Sequence, residues 1–224
     1  MGAAWASGIN LYATVAVLGL AANAGHIELP ANLDVVQDPL VIIAAGFMYC
    51  VEFFADKVPG VDTGWDALHT FIRIPAGAML AAGAVGDVSP ALSVAAGLVG
   101  GTVTAATHAT KAGSRVMINT SPEPFSNIGA SLAEDVAVFA GLWAALSQPS
   151  LFLLLFIAFI ALVIWLLPKI IRGIRAVGRK AKSLVTGEKY TKQSVMDQTA
   201  KLNELANAGV LSEGELATAK ARLS

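Results

Sequence analysis

The chain has 224 residues, of which 55% are hydrophobic and 14% charged, and its mean hydropathy is +0.65. Soluble domains typically carry about 25% charged residues, so the composition excludes an ordinary soluble domain and indicates a membrane protein. The formal net charge of −1 conceals an uneven distribution, because no Lys or Arg precedes Lys57. The single cysteine, Cys50, excludes an intrachain disulfide.

Six apolar segments are predicted to span the membrane, since one span needs roughly 20 mostly apolar residues. The last is the clearest, because its apolar run ends at Trp165 and Pro168 and cations follow. The third and fifth begin with polar residues, so they are either full spans lined with polar groups or broken, re-entrant helices. In chain order the segments are 3–24, 38–55, 66–85, 89–107, 125–146 and 151–167.

The placement of Lys and Arg favours six full crossings. After Lys57 the cations are Arg73, Lys111 and Arg115, and the others follow from Lys169 onward. Six crossings bring all of them to or near one face, which the positive-inside rule makes cytoplasmic together with both termini. We therefore predict an all-α, polytopic helix bundle of about six spans, and we expect it in a bacterial inner membrane.

Two pairs of spans resemble each other in sequence. "PLVIIAAGF" at 39–47 matches "PALSVAAGL" at 90–98, and "AGAML" matches "IGASL" at almost the same offset. The pattern predicts a duplicated helix pair, in residues 38–86 and 89–146. Transporters often place a site at the interface between such repeats.

Most polar residues outside the tail lie in two stretches, one in each predicted copy. Asp66, His69 and Arg73 share a helix face, and the same spacing recurs in the fourth span unless Gly113 ends that helix. Charges at membrane depth cost about 2.5–3.5 kcal/mol each on insertion scales, so the polar faces should meet inside the bundle. The candidate ligand-binding residues are Lys57, Asp62, Asp66, His69, Arg73, His108, Lys111, Arg115, Asn119, Ser121, Asn127, Glu134 and Asp135.

Two interpretations of these charges stay open. In the first, the chain is a small transporter or channel in which Arg73 and Arg115 grip an anionic, phosphate-bearing ligand, while Glu134 and Asp135 couple protons or a cation. In the second, the charges form a salt-bridge network that pins the helices of a non-transporting scaffold. No nucleophile–base constellation or metal motif stands out, so we expect neither an enzyme nor a cofactor.

The segment 169–189 is predicted to be a basic amphipathic helix at the anionic cytoplasmic leaflet. Each basic residue there contributes about 1 kcal/mol of attraction to anionic lipid. Nucleic-acid binding is the alternative, but aromatic residues are not interleaved with the cations. The residues at helical spacing are Arg172, Arg175, Arg179 and Lys182.

The last segment, 190–224, is predicted to be a helical hairpin. Gly209 lies where the first helix should end, and Ser212 with Glu215 forms a capping-box pattern that opens a second helix. A hairpin of this size is too small to bury a substantial core. We therefore expect it to dock on a second copy or on another partner, and we expect the chain to form a homo-oligomer.

Two resemblances follow from these residues. The tail is similar to the short C-terminal domain (SHOCT) of many bacterial proteins, through Leu202, Leu205, Gly209 and the Ser212–Leu216 stretch, which implies assembly or tethering. Residues 5–145 resemble a domain-of-unknown-function family of small multi-helix membrane proteins of bacteria and plastids. The text that carries this resemblance is "SGINLY", "EFFADKVPGVDTGWDALHTFIRIPAGA" and "SPEPFSNIGASLAED". It implies a membrane fold and no particular activity.

Overall fold

A computed structural model describes residues 1–120 and 124–222 of the chain. Ser121, one of the predicted site residues, lies outside the described residues, and so does the side chain of Lys182. The described part is all-helical, as the sequence predicts, and it divides into two compact units, Met1–Ile174 and Arg175–Ser224. Side-chain surroundings are described except at 124, 177 and 180–193.

Every predicted apolar segment is helical. A short 3-10 helix, Ala31–Gln37, precedes the third α-helix. The α-helices are α1 (Gly2–Ile9), α2 (Leu11–Asn23), α3 (Pro39–Ala55), α4 (Val61–Gly83), α5 (Pro90–Ile118), α6 (Pro124–Ser147), α7 (Pro149–Asn207) and α8 (Glu213–Ala221).

The first apolar segment is broken, which the sequence did not lead us to predict. Asn10 is extended between α1 and α2, and its side-chain oxygen caps α2 by accepting a hydrogen bond from the backbone N–H of Ala13 at 2.9 Å. Thr14 supports the break by donating to the backbone carbonyl of Asn10 at 2.8 Å. The carbonyls at the C-terminal end of a helix have no partner within the helix, so the break makes the carbonyl of Ile9 available to other groups.

The helices suspected of being broken are continuous. The third and fifth apolar segments lie in the unbroken helices α4 and α6, and α5 runs through Gly113 to Ile118. Gly113 therefore does not end its helix. A Cβ atom at Gly113 would lie 2.5 Å from the Cγ2 atom of Ile170, so the glycine instead lets α7 approach α5 closely.

Among the described residues, three helices are long and apolar enough to cross a membrane: Pro90–Ile118, Phe125–Ser147 and Pro149–Ala176. The 3-10 helix and α3, bent by 63° at their junction, form a fourth if they count as one span. Helix α4 has 23 residues, but buried charges lower its hydropathy. These are the helices of a membrane protein; the six crossings and the duplication stay predictions.

Helices α3 and α5 begin in the same way. Asp38 accepts a hydrogen bond from the backbone N–H of Leu40 at 2.8 Å, and a proline occupies the first turn of α3. Ser89 accepts from the backbone N–H of Leu92 at 3.4 Å, and a proline again follows. An oxygen-bearing cap followed by proline is a strong helix-start signal, and it lies within the sequence match that suggested a repeat.

Small residues bring α4 and α5 close together. A Cβ atom at Gly77 would collide with the Oγ1 atom of Thr104 and with Ser7 of α1, so only glycine fits there. Thr104 donates a hydrogen bond to the carbonyl of Ala4 at 2.7 Å, which adds α1 to this contact. Close backbone approach through small residues is typical of membrane helix packing. It holds the polar faces of α4 and α5 opposite each other.

The second unit contains the C-terminal part of α7 and the short helix α8. Gly209 adopts a φ of +73° after α7, in the left-handed region that glycine readily supplies. The Glu215 carboxylate accepts hydrogen bonds from the backbone N–H and the hydroxyl of Ser212 at 3.0 and 2.7 Å, so the predicted capping interaction is present. A groove of about 750 Å³ lies along this helix pair, with Leu202 and Leu205 on its α7 side.

Candidate functional site

Six buried ionisable side chains and one partly buried one meet at one end of the helix bundle, where α3 and α5 end and α4 and α6 begin. We call them the charged network. Their side chains range from 0% exposed, at Glu52, Arg73 and Arg115, to 19% exposed at Glu134. The members are Glu52, Asp56, Asp66, Arg73, Lys111, Arg115 and Glu134.

Arg73 joins α4 to α3. Its Nη2 atom donates to Glu52 Oε1 at 2.6 Å, and its Nη1 atom donates to Asp66 Oδ1 at 2.9 Å. Nη1 also lies 3.0 Å from the Nδ1 atom of His108 on α5. Charge-assisted hydrogen bonds of this length are among the stronger ones in proteins, so Arg73 ties three helices together.

These contacts define the protonation of His108. Because Arg73 can only donate, the Nδ1 atom of His108 accepts, and the proton of the neutral ring lies on Nε2. That Nε2 atom lies 3.1 Å from the carbonyl of Asp66 and 2.8 Å from the hydroxyl oxygen of Thr70. Thr70 in turn donates to the same carbonyl. His108 is therefore a neutral link between α4 and α5.

The ammonium of Lys111 lies among five oxygen atoms, which we call the lysine cage. Four of the five belong to carboxylates, and the fifth is the main-chain carbonyl that the break between α1 and α2 makes available. The distances from Lys111 Nζ are 2.7 Å to Asp56 Oδ2, 3.1 Å to the carbonyl of Ile9, 3.3 Å to Glu52 Oε1, and 3.6 Å to both Asp66 Oδ1 and Glu134 Oε2.

Arg115 binds α6. Its Nε and Nη2 atoms form a two-pronged contact with the Glu134 carboxylate at 3.0 and 2.6 Å. Its Nη1 atom donates to the side-chain oxygen of Asn127 at 2.6 Å and also lies within hydrogen-bond distance of the carbonyls of Asn127 and Asp56. Every nitrogen of this guanidinium is thus engaged by protein oxygens.

Asp62 and Asn119 form a separate contact beside the network. The Asp62 carboxylate accepts from the Asn119 amide at 2.8 and 3.0 Å and from the backbone N–H groups of Gly60 and Thr63. It lies 4.0 Å from the Nη1 atom of Arg115. This contact ties the first turn of α4 to the end of α5.

Lys57 and Asp135 lie at the exposed edge of the site. Their ion pair measures 4.0 Å, and the side chains are 20% and 14% exposed. The Lys57 ammonium also donates to the Ser131 hydroxyl at 3.3 Å and lies 3.0 Å from the centre of the Phe53 ring. These residues are only partly exposed and form the rim of the site, and an ion pair as long as 4.0 Å contributes little to stability.

His69 has other partners. Its ring stacks on Trp65, its Nδ1 atom lies 2.9 Å from the Trp65 carbonyl, and its Nε2 atom lies 3.0 Å from the hydroxyl of Tyr12. A neutral ring with its proton on Nδ1 satisfies both contacts, with Tyr12 donating. The predicted helix face is therefore correct, but His69 contacts α2 rather than an ion pair of the network.

Two central residues of the network are not among those predicted from the sequence. Glu52 and Asp56 are one turn apart at the end of α3, and both are buried among the cations of α4 and α5. Their spacing already placed them on one helix face, and this signal could have added them to the candidate site. The carbonyl of Ile9 could not be found from side-chain patterns, because it depends on the helix break.

The site contains more carboxylates than cations. The charged network has four carboxylates and three cations, and the adjoining Asp62, Asp135 and Lys57 raise the excess to two. Four buried carboxylate oxygens have no hydrogen-bond partner in the described part of the chain: Glu52 Oε2, Asp56 Oδ1, Asp66 Oδ2 and Asp135 Oδ2. The Nε atom of Arg73 and the Oδ1 atom of Asn119 also lack a partner there. The spare hydrogen-bonding capacity is therefore mostly for accepting.

Among residues 1–120 and 124–222, no three His, Cys, Asp or Glu side chains are arranged to hold a metal ion. The basic residues Arg172, Arg175 and Arg179, predicted to contact lipid, are exposed.

Comparison with known proteins gives a family without an assigned activity. Neither the curated proteins nor the solved structures contain a match to the chain. The family model described as "Domain of unknown function (DUF4126)" matches residues 1–169, which include all five helices that build the site. The chain therefore belongs to the DUF4126 family of proteins of unknown function.

Proposed function

We propose that this protein is a small membrane transporter in an occluded conformation, and that its charged network takes up and releases protons. The observation that carries the proposal is the excess of buried carboxylates over cations. Removing an ion from water costs several kcal/mol even after the protein relaxes. A surplus negative charge at this depth is most readily neutralised by a proton.

The unpartnered oxygens favour proton exchange over a purely structural network. A network that only pins helices is expected to satisfy its buried polar atoms, because each unsatisfied one costs about 1–3 kcal/mol. Glu52, Asp56 and Asp66 each bind a cation through one oxygen and leave the other without a partner in the described residues. A proton on that second oxygen removes a buried charge without breaking an existing hydrogen bond.

The exposure of the network indicates where protons enter. Exposure of the side chain rises from 0% at Glu52 to 6% at Asp56 and 19% at Glu134. The Lys111 ammonium lies within 3.6 Å of an oxygen of each of the three. Protons can therefore pass between Glu134, at the accessible edge, and the buried end of the network.

The anionic ligand expected from the sequence remains a second candidate with an added condition. The guanidinium groups of Arg73 and Arg115 already bind protein carboxylates at 2.6–3.0 Å. An anion must displace one of those carboxylates, and a displaced buried carboxylate needs a proton. Anion binding at this site is therefore expected to be accompanied by proton uptake.

The test is proton flux into proteoliposomes that carry a pH-sensitive dye inside. Wild-type protein should speed the change in internal pH after external acidification, compared with protein-free vesicles, when valinomycin and potassium hold the membrane potential near zero. Glu52→Gln should reduce the flux at least tenfold. Asp87→Asn is the matched control, because it removes an exposed carboxylate from the turn between α4 and α5.

Two results would change the proposal. Flux that requires added phosphate would favour the anionic ligand. Wild-type flux equal to that of empty vesicles, with and without phosphate, would overturn proton exchange. The charges would then be the structural network of a non-transporting scaffold, and Glu52→Gln would change only the melting temperature.

A further inference from the structure

We propose that α1 and α2 form a re-entrant hairpin, which enters and leaves the membrane at the face opposite the charged network and closes the network from that face. Neither helix is long enough to cross alone, because they have 8 and 13 residues. At a rise of about 1.5 Å per residue they are about 12 and 20 Å long, whereas the hydrocarbon core is about 30 Å thick. The gating role rests on the proposed function, and the hairpin itself does not.

Helix α1 begins at the face opposite the network. A Cβ atom at Gly2 would lie 2.6 Å from the Cβ atom of Ala145, near the end of α6, and 3.5 Å from the ring of Phe152, near the start of α7. The network lies toward the other end of α6. At the end of α1, the carbonyl of Ile9 lies 3.1 Å from the Nζ atom of Lys111 in the network. Helix α1 therefore runs from the opposite face to the network.

Helix α2 returns to the face where α1 begins. Close to the start of α2, the hydroxyl of Tyr12 lies 3.0 Å from the Nε2 atom of His69, one helical turn from the network arginine of α4. At its end, the side-chain amide of Asn23 donates to the carbonyl of Gln37 at 2.9 Å. Helix α3 begins at Pro39, immediately after that contact, and reaches the network only at its other end. Both ends of the hairpin therefore lie at the face opposite the network.

The tip of the hairpin is enclosed by protein, as a re-entrant segment must be. Irregular backbone at membrane depth is tolerated only where it is buried in protein or lines a water-filled cavity. Asn10, the extended residue at the tip, is 2% exposed, and its carbonyl and side-chain oxygens both accept hydrogen bonds. Beside it, Ser7 and Thr104 are fully buried, with their hydroxyl oxygens 3.5 Å apart. The break at the tip therefore exposes no unsatisfied oxygen of Asn10 to lipid.

The hairpin changes the expected topology at one end of the chain only. Five crossings, by α3 to α7, replace the predicted six, and the N-terminus moves to the face opposite the network. The first 56 residues contain no Lys or Arg, so this placement moves no basic side chain across the membrane. The cations from Lys57 onward stay at or near the network face, which the positive-inside rule still makes cytoplasmic.

The hairpin is the part of the bundle that can move without breaking the network. Helices α1 and α2 contain no charged residue, whereas the ion pairs of the network join α3, α4, α5 and α6. The tip is tied to α5 through the carbonyl of Ile9 and to α4 through the hydroxyl of Tyr12. Withdrawing the tip breaks these hydrogen bonds and leaves every ion pair intact.

Closure by the hairpin explains why the network is exposed on one side. Side-chain exposure is 19% at Glu134 and 0% at Glu52. Lys111, which lies 3.3 Å from the buried Glu52, also takes the carbonyl of Ile9 at the hairpin tip. The tip therefore lies at the closed end of the network. Its withdrawal opens that end to the opposite face, so the hairpin acts as the outer gate for proton exchange.

Cysteine labelling of the full chain tests the hairpin independently of transport. With Cys50 replaced by serine, a short N-terminal extension carrying one cysteine should react with a membrane-impermeant maleimide in intact cells. His26→Cys is the control for the outer face, because it follows α2 in either topology. Asn203→Cys is the control for the cytoplasmic face. Labelling of the extension only after permeabilisation, as for Asn203→Cys, would overturn the re-entrant hairpin.

A reversible cross-link tests the gate. In the Cys50→Ser protein, oxidation of Ser7→Cys with Thr104→Cys ties the tip to α5, so it should reduce proton flux into proteoliposomes at least tenfold, and dithiothreitol should restore the flux. Ala82→Cys with Gly97→Cys is the matched control. Their Cβ atoms would lie 3.5 Å apart, within the range of a disulfide, and this pair joins α4 to α5 without the hairpin. Flux that survives the first cross-link, or is lost equally with the second, would overturn the gate.

The two proposals can fail separately. Proton flux that depends on Glu52, with an N-terminal extension labelled only after permeabilisation, would leave the proposed function in place and remove the hairpin. An extension labelled in intact cells, without any proton flux in proteoliposomes, would retain the hairpin and remove both proton exchange and its gate.

Discussion

Replacing Arg73 by alanine should strongly destabilise the protein, because it leaves two buried carboxylates without their main partner. Arg73 is fully buried and contacts Glu52 at 2.6 Å and Asp66 at 2.9 Å. Removing one partner of a buried ion pair costs about 3–5 kcal/mol. For a protein of this length, each kcal/mol lowers the melting temperature by about 2–4 °C, so we expect a decrease of about 6–20 °C.

The loss should depend on pH in a definite direction. At neutral pH the carboxylates of Glu52 and Asp66 share only Lys111 in Arg73→Ala, at 3.3 and 3.6 Å, whereas a proton on either one removes the uncompensated charge. Lowering the pH should therefore narrow the difference in melting temperature between the wild type and Arg73→Ala. A difference that stays constant or widens as the pH falls would contradict the role of these charges.

A double-mutant cycle measures the interaction directly. Glu52→Gln removes one of the stranded charges, so the double variant should be more stable than the sum of the two single changes predicts. The readout is thermal unfolding of the purified protein in detergent. Arg172→Ala, an exposed arginine on α7, controls for the loss of a positive charge. Additive effects of the two substitutions would refute a direct interaction.

Further predictions concern the packing, the tail and the orientation. Gly77→Ala should destabilise the protein by about 1–3 kcal/mol in thermal melts because its new Cβ collides with α1 and α5, whereas Gly64→Ala on the same helix has open space and should be neutral or stabilising. Hydrogen bonds from the hydroxyl and backbone N–H at the start of α8 lower the pKa of Glu215 below its ordinary value of 4.5. The ionised Glu215 carboxylate should stabilise α8 fully above pH 4.5, and this stabilisation should be lost as the pH falls through the lowered pKa of Glu215. NMR titration of the full chain should show the loss of α8 structure over this pH range in the wild type but not in Glu215→Gln. With Cys50 replaced by serine, a membrane-impermeant maleimide should label His26→Cys in intact cells and Asn203→Cys only after permeabilisation; the reverse pattern would contradict a cytoplasmic C-terminus.

Much of the fold followed from apolar run length and small residues. The apolar segments, the Gly209 turn and the capping box of Ser212 and Glu215 all depend on neighbouring residues, and the structure has them where the sequence indicated. The residue patterns alone left the continuity of α4 and α5 open. Polar residues and Gly113 suggested breaks, but the polar groups pair with neighbouring helices and the glycine admits Ile170.

The break in the first segment was hidden for the opposite reason. Asn10 lies in an otherwise apolar run, and one asparagine can either cap a new helix or point to a neighbour from within a continuous one. The choice depends on Lys111, which lies 102 positions away along the chain and takes the carbonyl that the break makes available. A local pattern cannot include such a distant partner.

The sequence located most of the site but gave no information on its charge balance. Helical spacing correctly placed Asp66 and Arg73 on one face and predicted that the faces of α4 and α5 would meet. It did not indicate that the arginines would pair with Glu52 and Glu134. Only the three-dimensional pairing shows which atoms are left over, and most of those atoms are acceptors.

The leftover atoms decide between the interpretations of the site more strongly than the ion pairs do. Any buried ion pair stabilises a helix bundle against the loss of one partner, whether the protein transports a substrate or not. A surplus of carboxylate oxygens around a tethered ammonium has no such structural use, because a cage made only to hold helices would be better balanced. A proton on one of these carboxylates removes surplus buried negative charge. This supports the proposed proton exchange, in which Arg73 and Arg115 hold the carboxylates in position.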